Sequence, residues 1–96
     1  MSESNSKPKI EIEKVAEGDF RVRVAERESV STHRVTLSSE DFQRLAGGKA
    51  SPEDLVRRSF EFLLEREPKE SILARFDLSV IARYFPEYDR EIARRL

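Results

Sequence analysis

Residues 10–24, IEIEKVAEGDFRVRV, decide the first third of the fold. Apolar and charged side chains alternate in Ile10–Glu13 and again in Phe20–Val24, which is the period of a strand with one face in the core and one in water. Gly18 lies between the two runs and tolerates the positive φ of a tight turn. The stretch therefore predicts a β-hairpin.

A third run, Val30–Leu37, is rich in β-branched residues and follows the hairpin directly. Period two places four of its side chains on one side of the strand: Ser31, His33, Val35 and Leu37. Three strands in succession predict an antiparallel β-meander, with Glu and Arg outward and the apolar side chains inward.

After Leu37 the apolar period changes from two to about 3.6, which indicates helices. Ser38 is a plausible N-cap for a short helix that Gly47 and Gly48 end. Ser51-Pro52 is a stronger start signal, and a long helix is expected from there to Glu67, before Pro68. The apolar stripe of that helix comprises Leu55, Val56, Ser59, Phe60, Leu63 and Leu64.

The last quarter predicts shorter helices. One is expected from Ser71 through Phe76, another from Asp77 or Ser79 through Phe85, and a last one after Pro86. The whole predicts an α+β fold in which a three-stranded antiparallel β-meander is followed by four to five helices packed on one face.

The chain length of 96 residues fits one hydrophobic core. Residues 1–8 are polar and serine-rich, so we expect a disordered lead-in there and a single domain over 9–96. No window is apolar enough to span a membrane, and the N-terminus lacks the basic start and apolar stretch of a signal peptide. A cytoplasmic location and no membrane partner are expected.

Few residues suggest catalysis. The chain has no cysteine, and His33 is its only histidine, on the apolar side of a strand pattern. His33 is either a general base or metal ligand, or a partly buried ring whose nitrogens bond to backbone or to a carboxylate. Without a second histidine or a phosphate-binding glycine pattern, we expect no enzyme activity, no cofactor and no metal site.

A nucleic-acid role is the main alternative. Residues 71–85 have the outline of a helix-turn-helix, with two predicted short helices joined by a tight link. The second of these helices offers only Ser79 and Arg83 to a nucleic acid. The 18 Lys and Arg residues balance 19 Asp and Glu, so the electrostatic attraction to phosphates is weak and nucleic acid is not the expected partner.

Aromatic residues suggest a protein partner instead. Phe62 lies off the main stripe of the long helix, so that helix is apolar on more than one side. Either the sheet covers one side and the last helices cover the other, or an exposed apolar surface binds a protein partner or forms a homodimer.

Two strings, S-F-x-F-L-L-x-R-E at residues 59–67 and Y-F-P-E-Y at residues 84–88, resemble a family of small uncharacterised prokaryotic proteins. The likeness covers roughly residues 30–90. It implies a stand-alone protein of unknown role and brings no catalytic residues. The polar positions that the resemblance marks as a possible shared surface are Arg66, Glu67, Ser71 and Glu87. Arg66, Glu67 and Glu87 also fit structural roles at helix ends.

The sequence thus favours a non-catalytic protein-interaction or regulatory module. The candidate binding residues are Phe62, Arg66, Glu67, Tyr84 and Glu87.

Overall fold

Four strands and four α-helices make up residues 8–96, the part of the chain that the computed structural model describes. The predicted disordered lead-in lies outside these residues except for Pro8. The strands are β1 Lys9–Ala16, β2 Asp19–Glu26, β3 Ser29–Thr36 and β4 Arg75–Asp77, and the helices are α1 Ser39–Ala46, α2 Pro52–Arg66, α3 Ile81–Tyr84 and α4 Tyr88–Arg95. Two 3₁₀ turns, Lys69–Ser71 and Leu78–Val80, flank β4.

The predicted meander is confirmed. β1 pairs antiparallel with β2, and β2 pairs antiparallel with β3. Because apolar residues alternate with polar ones, one face of the sheet is apolar and packs in the core, where Phe20, Val22, Val24 and Val35 are almost fully buried.

The other face of the sheet is a ladder of charges. Arg21 contacts Glu13 at 2.6 Å and Arg23 contacts Glu11 at 2.8 Å, each across paired positions of β1 and β2. Exposed ion pairs of this kind contribute about 0 to 1 kcal/mol each. This face is therefore the solvent face, and the helices pack on the opposite one.

The fourth strand corrects one prediction: the helix expected from Ser71 through Phe76 is wrong. Arg75–Asp77 instead pair parallel with Arg34–Thr36, and the Arg34 amide donates to the Ala74 carbonyl at 2.8 Å. A six-residue helix is marginal on its own, whereas the free edge of β3 offers unpaired backbone groups. Tertiary pairing decides this segment.

The helix starts follow the predicted caps. Ser38 Oγ accepts a hydrogen bond from the Asp41 amide, and Ser51 Oγ accepts one from the Asp54 amide, both at 3.1 Å. Gly47 ends α1 with a φ of 55°. These local hydrogen bonds and the left-handed Gly47 mark the ends of α1 and the start of α2.

Helix α2 has two buried faces. Phe60 faces the sheet, with its ring 5.4 Å from the His33 ring and 6.0 Å from Phe76. Phe62 points the other way and packs edge-on against Phe85 and Tyr88 at 5.9 and 5.3 Å between ring centres. The sheet covers one side of α2 and the last helices cover the other, as the internal interpretation of Phe62 predicted.

A polar pair crosses the contact between α2 and α4. Ser59 Oγ lies 2.7 Å from the Leu55 carbonyl and 2.6 Å from the Tyr88 hydroxyl. The carbonyl can only accept, so Ser59 donates to it and Tyr88 donates to Ser59. Both side chains are fully buried, and burial raises the pKa of Tyr88 to about 12.

Within residues 8–96, every helix is too short or too polar to cross a membrane.

Candidate functional site

An apolar groove lies between the end of α2 and the segment that runs from Ser71 to Phe85. Its volume is about 280 Å³. Buried core residues form its floor, namely Leu63, Ile72, Phe76 and Ile81. The groove is therefore a place where the hydrophobic core reaches the surface.

Two exposed apolar side chains stand among the residues that line this groove. Leu73 is 48% exposed and Tyr84 is 67% exposed. Scattered exposed apolar residues are normal, but these two adjoin an apolar floor. Together they make a continuous apolar surface open to a second molecule.

His33 anchors one wall of the groove. Its Nδ1 lies 2.8 Å from the Leu73 carbonyl, and its Nε2 lies 2.8 Å from Ser31 Oγ. The carbonyl only accepts, so Nδ1 carries a proton. Both ring nitrogens are engaged, and the ring is buried against Phe60. His33 matches the interpretation as a ring bonded to backbone, and its role here is to hold Leu73 in place.

Asp77 ties the turn before α3 to the sheet. Its carboxylate accepts from Thr36 Oγ at 2.6 Å and from the Ser79 amide at 3.1 Å, which starts the turn that leads into α3. Burial acts to raise the pKa of Asp77, but the hydrogen bonds from Ser79 and Thr36 outweigh it and the pKa is lowered. The bonded carboxylate thus joins α3 and its Tyr84 to the end of β3.

Behind the groove lies a cluster of three predicted site residues. The Arg66 guanidinium lies over the Phe62 ring at 3.7 Å, and Arg66 Nε donates to Glu87 at 3.0 Å. A hydrogen bond from its own backbone amide and a second from Arg66 lower the pKa of Glu87. Phe62 is fully buried in this cluster, so it belongs to the core and is not available to a partner.

The structure therefore divides the five candidate residues into two groups. Glu67 and Tyr84 line the groove, whereas Phe62, Arg66 and Glu87 form the supporting cluster. The two groups meet at one point, because the ring of Phe85 lines the groove and also packs on Phe62.

The helix-turn-helix on which the nucleic-acid alternative depends is not formed by residues 71–85. Residues 71–85 contain a strand and two short helical turns in place of two helices, so the predicted helix-turn-helix lacks its first helix.

Among residues 8–96, no three His, Asp or Glu side chains lie close enough together to share a metal ion.

Sequence reasoning missed two residues. Leu73 falls within the helix predicted from Ser71 through Phe76, yet it stands exposed at the groove because the segment is extended. Lys69 is only 4% exposed and donates to Glu70 at 2.7 Å and to Ser29. It joins the turn after α2 to the β2–β3 hairpin. A lysine after a helix-ending proline carries no signal of burial, so only the tertiary structure reveals this contact.

Comparison with known proteins places the chain in no family: no family model, no curated protein and no solved structure matches it. The resemblance noted for residues 30–90 stays a prediction.

Proposed function

We propose that this chain is a non-catalytic protein-interaction module, and that its groove receives apolar side chains of a partner protein. The observation that carries the proposal is the groove itself, a preformed apolar depression in which Leu73 and Tyr84 stand exposed beside a floor of core residues. Water against such a surface is released when a partner covers it, which favours binding by roughly 25 cal/mol per Å² of apolar area.

The residues of the groove are of the kind in which a few side chains contribute most of the binding free energy. Tyrosine is enriched among the residues that dominate protein interfaces, and an apolar pocket beside it gives a partner side chain a defined place. Hydrogen bonds hold the Leu73 carbonyl on His33 and hold the turn that leads into α3 on Asp77, so these parts of the groove are ordered without a partner. Preformed sites avoid part of the ordering entropy of binding.

The local chemistry supports binding over catalysis. The His33 ring is only 3% exposed and its Nδ1 is held by the Leu73 carbonyl, so the ring offers little surface to a substrate in solution. Among the described residues 8–96, Glu67 is the one charged residue that lines the groove.

A random dodecapeptide library displayed on phage tests the proposal. Peptides selected on the wild-type protein are expected to bind it in solution. Leu73→Ser and Tyr84→Ala should each weaken that binding by about tenfold, the loss typical of a residue that contributes more than 1 kcal/mol to an interface. Val30→Thr is the matched control, because Val30 is 51% exposed but does not line the groove.

Selected peptides that bind all three variants as tightly as the wild type would refute the groove as the binding site. A failure to select any peptide that binds in solution would count against an interaction module of this kind.

A further inference from the structure

Glu67 occupies an unusual electrostatic position in the groove. It is half-buried and follows directly on α2, where its amide closes the helix by donating to the Leu63 carbonyl. The C-terminal end of a helix carries partial negative charge from its free carbonyls, and a carboxylate there is unfavourable. The location favours a cation near Glu67.

The neighbouring glutamates of α2 already have such cations. Glu61 accepts from Arg58 at 3.0 Å, and Glu65 accepts from Arg95 at 2.6 Å. The hydrogen bond from Arg95 lowers the pKa of Glu65. Within residues 8–96, Glu67 makes no ion pair, although Arg66 is its neighbour in sequence, because the Arg66 guanidinium is held by Glu87 and by the Phe62 ring.

Glu67 also stands between two concave surfaces. On one side it lines the apolar groove. On the other side it lines a second hollow of about 380 Å³, whose charged lining residues within 8–96 are all glutamates: Glu26, Glu61, Glu65 and Glu67. Within residues 8–96 three of these carboxylates are already paired, Glu26 with Lys69, Glu61 with Arg58 and Glu65 with Arg95. Glu67 is therefore the carboxylate that a positively charged side chain of a peptide leaving the groove would meet.

From this geometry we infer, given the proposed function, that the partner segment carries a lysine or arginine beside the apolar side chain it inserts. The apolar side chain fills the groove between Leu73 and Tyr84. The adjacent cation contacts the Glu67 carboxylate and the negative end of α2. The partner is thus a basic apolar segment, and Glu67 sets its charge preference while the groove supplies most of the affinity.

Three synthetic peptides test the inference. Each is a fluorescein-labelled copy of the tightest library peptide, with the residues that flank its apolar anchor set to lysine, glutamine or glutamate. Fluorescence anisotropy measures their affinities for the wild type, Glu67→Gln, Glu67→Lys and Glu61→Gln. Glu61→Gln is the matched control, because Glu61 lines the same second hollow as Glu67 but is paired with Arg58.

On the wild type, the lysine peptide should bind about two- to fivefold tighter than the glutamine peptide, and the glutamate peptide should bind correspondingly weaker, as expected for a partly exposed ion pair. Glu67→Gln should remove these differences, Glu67→Lys should reverse them, and Glu61→Gln should keep the order of the three peptides. The differences should shrink between ~20 mM and ~500 mM salt, because screening weakens an exposed ion pair.

The outcomes separate the two proposals. Equal affinities of the three peptides for the wild type, or a lysine preference that persists in Glu67→Gln, would overturn the inference, while binding that still depends on Leu73 would leave the groove as the interaction site. Three peptides that bind the wild type and Leu73→Ser alike would overturn both.

Discussion

The buried pair between Ser59 and Tyr88 gives a direct test of how α4 is held on α2. Ser59 donates to the Leu55 carbonyl and accepts from the Tyr88 hydroxyl. Ser59→Ala leaves the phenol without an acceptor in a buried site, whereas Tyr88→Phe leaves Ser59 still bonded to Leu55. The two single substitutions are therefore predicted to have unequal effects.

The magnitudes follow from the hydrogen-bond arrangement. An unsatisfied buried hydroxyl costs about 1 to 3 kcal/mol, and the helix gains at most ~0.7 kcal/mol when alanine replaces serine. Ser59→Ala should thus lower the free energy of unfolding by about 1 to 2 kcal/mol. Tyr88→Phe should lower it by about 1 kcal/mol, the value of one net hydrogen bond. The double variant should be more stable than the sum of the singles predicts, because it buries no unpaired group.

Urea unfolding followed by circular dichroism measures these differences in the free energy of unfolding. In a thermal scan, each 1 kcal/mol should shift Tm by roughly 4 to 8 °C in a domain of this size. The pH dependence gives a second readout. The folded protein holds the Tyr88 proton up to pH about 12, whereas the unfolded chain releases it near pH 10. This stabilisation is complete below pH 10 and is lost as pH rises to 12, by up to about 2 to 3 kcal/mol.

Tyr88→Phe lacks the group that titrates, so its stability should fall less between pH 10 and 12 than that of the wild type. Two results would refute the reasoning. One is strict additivity of the single and double variants. The other is an identical loss of stability in the wild type and Tyr88→Phe over this pH range.

Three further predictions concern the turn, the buried lysine and nucleic acid. Gly18→Ala should lower the free energy of unfolding by at least about 2 kcal/mol, because the φ of Gly18 is +70° and the new Cβ would lie 2.7 Å from the Leu37 carbonyl oxygen. Gly48 has a φ of +82° but open space around it, so Gly48→Ala should lower the free energy of unfolding by only about 1 kcal/mol in the same urea titration. Equal losses in the two variants would contradict the clash at Gly18. Lys69→Ala should lower Tm by several degrees because it removes the stem and the bonds that join the hairpin to the turn after α2, and an unchanged Tm would show that this contact contributes nothing. Anisotropy of a labelled random DNA duplex should show no binding even at low salt, and binding that weakens steeply with salt would restore the nucleic-acid alternative.

Local signals in the sequence predict much of the fold. The alternation in Phe20–Val24 identifies the buried face of the sheet, and Ser38 and Ser51 mark where α1 and α2 begin. These features depend on backbone preferences and on caps within a few residues, so no knowledge of the tertiary structure is needed. The position of Phe62 off the main stripe also predicts a second covered side of α2.

The candidate site was less predictable because it depends on contacts distant in sequence. Ile72 and Phe76 are spaced as in a helix, and only the free edge of β3, some 40 residues earlier, makes their segment extended. That extension exposes Leu73 and forms the groove. The two sequence strings predict Glu67 and Tyr84 as binding residues, and both line the groove. The same strings also predict Arg66, but its guanidinium contacts the Phe62 ring and Glu87, and sequence alone does not reveal those contacts.

The most direct test of the groove as an interaction site is a ¹H–¹⁵N correlation spectrum of the labelled protein, titrated with the tightest peptide from the phage library. The amides that shift should cluster at Ile72–Leu73 and Val80–Phe85, around the groove, and the outer face of β1 and β2 should remain unchanged. Shifts confined to that outer face, or spread evenly over the protein, would contradict the account.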